Sequence, residues 1–208
     1  MELTLRKAIL RFALTAVALL ASLASSSDAH RFNIENAING FREIWTPLSF
    51  SAGGRTVRCN VTLAGEYLRR TNEKIAGLQL GNVLDARFNT CTGGSATVLV
   101  GTLPWSVHYA GFGGTLPNIT SLRFTIRSLS LSIRPAESIA CLARSTTESP
   151  ARFIATVAFG SVTTVRADET ATIPLEGFFC AFGGAGALSG TGAQLVREEG
   201  GLTRIFLI

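Results

Sequence analysis

Four cysteines and a few isolated acids and histidines are the residues of this 208-residue chain whose types could do chemistry. Cys59, Cys91, Cys141 and Cys180 contain no C-x-x-C pair, which removes the commonest zinc and thioredoxin-like signatures. An even cysteine number in an exported chain reads as two disulfides. Four cysteines allow three pairings. Cys59–Cys91 with Cys141–Cys180 is favoured because it staples each half of the chain locally, and the crossed arrangements stay open.

The other candidates are sparse. A serine hydrolase needs Ser, His and an acid together, often around a G-x-S-x-G elbow; none occurs, although Ser95 and Ser161 each follow a glycine. The two histidines are His30 and His108, and His108 has no His, Cys or Asp neighbour at ligand spacing. No D-x-[DN]-x-[DN]-G calcium loop appears either, so neither a metal nor a cofactor is expected. Glycoside hydrolysis needs only two carboxyls flanking the substrate. Glu66, Asp85 and Glu176 near strand ends could converge for it, but two tryptophans and two tyrosines are few for a sugar cleft. Asp168-Glu169 and Glu198-Glu199 read as loop charges, and no catalytic residue is assigned. The candidate binding residues are Trp105, His108 and Tyr109. In Trp105-Ser106-Val107-His108-Tyr109 the first, third and fifth side chains share one face of a strand, and Ser106 and His108 share the other. Trp105 reads as core on one view. On the sharper view, one face of this strand and a following loop at Gly111–Gly114 form a binding surface.

Strands must position these groups, because the dominant period is two. Val57, Cys59, Val61 and Leu63 alternate with Arg58, Asn60 and Thr62, which turns Cys59 inward with the valines. Leu122, Phe124 and Ile126 continue the pattern, which then slips by one residue to Leu129, Leu131 and Ile133. Such a slip sends every later side chain to the other face unless the strand is bulged or bent, so Arg127-Ser128 is expected to be a bulge or a tight bend. Further strands are expected over 43–50, 75–88, 96–100, 105–110, 152–159, 161–166, 171–182, 186–196 and 202–208. Glycine pairs at 53–54, 93–94, 113–114, 183–184 and 200–201 supply turns between them. The expected fold is all-β, an antiparallel β-sandwich of about nine to eleven strands, with barrel-like closure as a variant. Ile34, Ala37, Ile38 and Phe41 fall at helical spacing with Asn33 as a cap; an opening strand over 32–36 competes with that helix.

The N-terminus has the build of a secretory signal. Arg6 and Lys7 precede an apolar stretch from Ala8 to Ala24, followed by small residues that allow cleavage after Ala29 or after Ala24. The apolar run after Arg11 is shorter than the about 20 residues that spanning a bilayer takes. The expected organisation is a leader over 1–29 and one β domain over 30–208, with no membrane span after cleavage. Sixteen basic and twelve acidic residues would remain in the mature chain, a net charge of +4. The arginines are scattered rather than striped with aromatics, which argues against nucleic acid; alternation along strands can still collect some of them on one face.

The segments Gly40–Trp45, Thr56–Gly65, Cys91–Leu99 and Thr102–Thr120 resemble uncharacterised secreted β-rich proteins of high-GC Gram-positive bacteria. The resemblance runs from about Gly40 to Cys141; it implies export and a β-rich fold, and it carries over no catalytic residue. The expected function is a secreted or envelope-associated non-catalytic module, structural or binding a cell-envelope component or a protein partner. The alternative is a secreted carboxylate-dependent hydrolase acting on polysaccharide. An outer-membrane barrel fits the alternation but sits badly with four cysteines and the lack of aromatic girdles.

Overall fold

β-Branched and aromatic side chains at every second position, interrupted by glycine, leave the backbone few options but pleated strands. The computed structural model describes residues 31–35, 40–116, 118–177, 180, 184–190, 194–197 and 201–207. The expected leader, both cleavage positions and His30 lie outside them. Sixteen strands follow one another: β1 (Arg31–Glu35), β2 (Gly40–Ala52), β3 (Arg55–Tyr67), β4 (Thr71–Glu73), β5 (Gln79–Thr92), β6 (Gly94–Val98), β7 (Trp105–Thr115) and β8 (Asn118–Arg127) in the first part. The second part holds β9 (Ser130–Pro135), β10 (Cys141–Arg144), β11 (Ala151–Ala158), β12 (Ser161–Ala167), β13 (Thr172–Glu176), β14 (Ala185–Ser189), β15 (Gln194–Arg197) and β16 (Arg204–Leu207). A 3₁₀ turn at Val100–Thr102 is the only helical element among the described residues. None of the described helices is long and apolar enough to cross a membrane.

The strands form one large antiparallel sheet in the order β4-β1-β16-β12-β11-β8-β7-β5-β3-β2-β14-β13-β10-β9-β6, with β15 also paired to β2. The ladder is not closed. It folds over, so that β12 approaches β14 and β15 while β6 approaches β3 and β5. Side chains from distant strands therefore meet in one core that includes Trp45, Trp105, Phe153 and Ile133. This is the antiparallel all-β class expected from the alternation, with more strands than expected. Near the end of the fold-over, β15 and the segment entering β16 are tied by one bridge, Val196↔Leu202, and by bonds from Thr203 N–H to Leu195 O and Arg197 N–H to Gly201 O.

The long β2–β3 hairpin meets different partners along its length. A bulge at Thr46-Pro47 divides it: before the bulge Phe41–Ile44 pairs with β15 as well as β3, whereas after it Ser49–Ser51 pairs with β14 as well as β3. The slip at Arg127-Ser128 is a tight bend. Ser128 has φ 63°, its amide bonds Ser145 O, and the chain leaves the β7–β11 region to form β9 beside β10 and β6. Gly94 makes a similar turn after β5. Its φ is 148°, and a Cβ there would collide with the carbonyl of Arg134. The disulfides are Cys59–Cys91 and Cys141–Cys180, the local pairing that was favoured. Each joins neighbouring strands or their ends, β3 to β5 and β10 to the turn after β13.

Several local expectations change: the strand expected over 171–182 is observed at Thr172–Glu176, and that expected over 186–196 as the two strands Ala185–Ser189 and Gln194–Arg197. Residues 31–35 form a strand with Phe32 and Ile34 buried, not a helix; Ala37 and Ile38 lie outside the described residues. Gly111–Gly114 is not a loop but continues β7 to Thr115, with irregularities at Tyr109/Gly111 and Gly113/Gly114 that absorb the glycines. Residues 75–78 are a turn ahead of β5, because Leu78 N–H bonds back to Ile75 O and the chain must cross over His108.

Candidate functional site

The three residues singled out in β7 part company. Trp105 is fully buried, its indole N–H donating to Thr102 Oγ1 at 3.0 Å, so it belongs to the core. His108 projects from the opposite face yet is buried, because the turn at 75–78 lies over it. Its Nδ1 is 2.9 Å from Gly77 O and its Nε2 is 2.9 Å from Ser106 Oγ. A carbonyl can only accept, so Nδ1 carries the proton; in the neutral ring Nε2 then accepts from the Ser106 hydroxyl. Gly77 N–H donates to Tyr109 O at 2.7 Å and Tyr109 N–H to Leu78 O at 2.8 Å, so the turn is clamped from both sides. Gly77 takes φ 87°, which permits that reversal.

The clamped turn forms one wall of an open groove of about 600 Å³ on the outer face of β7, β8 and β11, to which Tyr109 also contributes. Alternation in β8 puts Arg123, Thr125 and Arg127 outward, opposite Leu122, Phe124 and Ile126. The β8–β11 register sets Arg152 directly across from Thr125, and Thr125 is itself across from His108. Arg152 is therefore diagonal to both Arg123 and Arg127. All three arginines line the groove. The four ion pairs among the described residues use Arg31, Arg87, Arg144 and Arg204 instead. Arg127 is half-buried with its guanidinium beside Gly77, and its Nε meets no acceptor among the described residues.

Two acids share the groove, Glu148 and Asp168. Asp168 Oδ1 accepts from Thr170 Oγ1 at 2.7 Å and from Thr170 N–H at 3.2 Å. Those bonds, aided by Arg152 and Arg166, hold its carboxyl below the usual carboxylate range. A carboxyl so held is a poor proton donor near neutrality. The sequence-derived acids do not converge here. Asp85 is paired with Arg87 at 2.8 Å, Glu176 with Arg144 at 3.9 Å, Glu66 stands exposed on β3, and none of them lines the groove.

A second recess is internal. A cavity of about 40 Å³ in the core is lined by apolar side chains except for Glu43 and Tyr67. Glu43 is 2 % exposed, and its Oε1 has no hydrogen-bond partner among the described residues. Burial pushes its carboxyl up to about 8, so it is neutral at pH 7, and burial also raises the Tyr67 phenol. The cavity is too small for a benzene-sized ligand, which needs about 150 Å³. Glu43 was legible in principle: in Phe41-Arg42-Glu43-Ile44-Trp45 the acid falls on the face of Phe41 and Trp45. No cluster of three metal-ligating side chains occurs among the described residues. No family model, curated protein or solved structure matches the chain.

Proposed function

We propose that the protein is an exported, non-catalytic module of the cell envelope or extracellular space that binds a ligand in the groove on β7, β8 and β11. Export is supported by the build of the N-terminal segment and by two disulfides with no free cysteine among the described residues. The observation that carries the binding reading is the groove itself. It has the volume of sites that hold drug-sized ligands, and its floor is a rigid strand register. A turn pinned by His108 walls it, and three arginines that join none of the ion pairs among the described residues line it. The hydrolase alternative is less well supported, because Glu66, Asp85 and Glu176, the acids it would use, lie apart from the groove.

The test is cosedimentation of the purified, oxidised protein with insoluble cell-wall material, alongside an assay for released reducing sugar. Wild type is expected to sediment without releasing sugar. Thr147→Trp, which fills the groove from an exposed loop position, is expected to stay in the supernatant. Sugar release that Glu148→Gln or Asp168→Asn abolishes would establish the hydrolase instead.

A further inference from the structure

Resting on that binding reading, we infer that the groove takes an extended polyanion, a polymer carrying phosphate or carboxylate groups along its chain, rather than a neutral glycan. Arg123 and Arg127 are four residues apart on β8, about 13 Å at strand rise. Arg152 of β11 sits between them and one strand to the side, with diagonal neighbours about 7–8 Å away. Like charges so placed repel one another and are destabilising unless something neutralises them.

The chain itself supplies only part of the neutralisation. Asp168 and Arg152 attract one another, but the Asp168 Oδ1 is taken by Thr170, Glu148 is exposed on the rim, and neither acid makes an ion pair with the three arginines. Their forked guanidinium groups match phosphate and carboxylate oxygens two at a time. Spacing decides between one anion and several. A lone inorganic anion would occupy a small part of about 600 Å³ and could engage the arginines only by drawing together stems that leave the sheet about 13 Å apart. A chain with anionic groups every few ångströms meets each arginine where it stands. The floor between them, with Thr125 and Ile154, is uncharged and leaves room for the linking units.

The experiment is titration of the oxidised full-length protein with four probes at several salt concentrations: inorganic polyphosphate, polygalacturonate, neutral dextran and inorganic phosphate. Polyphosphate or polygalacturonate is expected to bind at least tenfold more tightly than inorganic phosphate, and dextran not at all. Which of the two polymers is preferred separates a phosphate-bearing source from a carboxylate-bearing one. Affinity should fall with salt with a log–log slope of about −2, as three charge contacts imply for a single-stranded polyanion. Arg123→Gln with Arg152→Gln, both at exposed positions, should weaken binding at least tenfold and flatten that slope, with a melting temperature no lower than that of wild type. Arg58→Gln with Arg87→Gln, exposed and outside the groove, should change neither.

Dextran binding that Thr147→Trp blocks would overturn the polyanion inference and leave the binding module standing. Polyanion binding that survives the loss of Arg123 and Arg152 would overturn it as well. Failure of every probe together with failure to cosediment with cell-wall material would overturn both.

Discussion

Replacing Glu43 with glutamine should stabilise the protein, and by an amount that grows with pH. Glu43 lies in an apolar wall, and burial raises its carboxyl from 4.5 to about 8. Between those values the folded chain holds a proton that the unfolded chain releases, so stability falls as pH rises. The penalty is absent well below pH 4.5, grows by about 1.4 kcal/mol per pH unit, and levels off above pH 8. It amounts to about 3 kcal/mol at pH 7 and about 5 kcal/mol at pH 9. Glutamine keeps the shape of the neutral acid but puts amide N–H groups against the same wall, which costs about 1 kcal/mol. Glu43→Gln should therefore be near neutral at pH 5, more stable than wild type by about 2 kcal/mol at pH 7, and by about 4 kcal/mol at pH 9. Urea unfolding of the oxidised proteins, followed by the fluorescence of the buried Trp45 and Trp105, measures the difference directly. Subtracting the two curves removes other groups that titrate in this window, and Asp168, held low, contributes only at more acid pH. Parallel stability profiles for wild type and variant from pH 5 to pH 9 would refute a neutral, buried Glu43.

Two further outcomes test the local readings. The β11–β12 hairpin turns through Phe159 and Gly160, at φ 50° and 75°, a two-residue turn with both central residues in the left-handed region. The Phe159 side chain is fully exposed. Phe159→Asn should raise stability by about 0.5–1 kcal/mol in thermal unfolding, because asparagine tolerates that conformation and no packing is lost; an unchanged or lower melting temperature would contradict the turn assignment. His108→Ala strips the donor from Gly77 O and should cost about 1–2 kcal/mol. It should also speed hydrogen exchange at the Gly77 and Leu78 amides ahead of the rest of the sheet, and unchanged exchange there would show that the turn does not depend on the histidine.

Much of the architecture follows from short-range rules. Alternation alone turned Cys59 inward, placed Arg58 and Thr62 on the other face of β3, and separated Trp105 from His108. The one-residue slip at Ser128 became a corner because inward side chains on both sides of it had to reach the same core. The favoured disulfide pairing emerged because neighbouring strands in this fold are often close in sequence. The same alternation reports that Glu43 faces inward, but not that its surroundings would hold no partner for it.

What an individual strand cannot specify is its neighbour's register. Arg123 and Arg127 are outward from sequence alone, whereas their meeting with Arg152 depends on β11 pairing with β8 at Thr125 and not two residues away. His108 likewise reads as a solvent-facing strand residue until the turn at 75–78 folds over it and takes both ring nitrogens into hydrogen bonds with Gly77 and Ser106. The side chain that each strand presents to the core was set by its own two-residue period, which is local. The groove and the buried acid were set by which strands lie beside each other, and that depends on contacts between residues far apart in the chain.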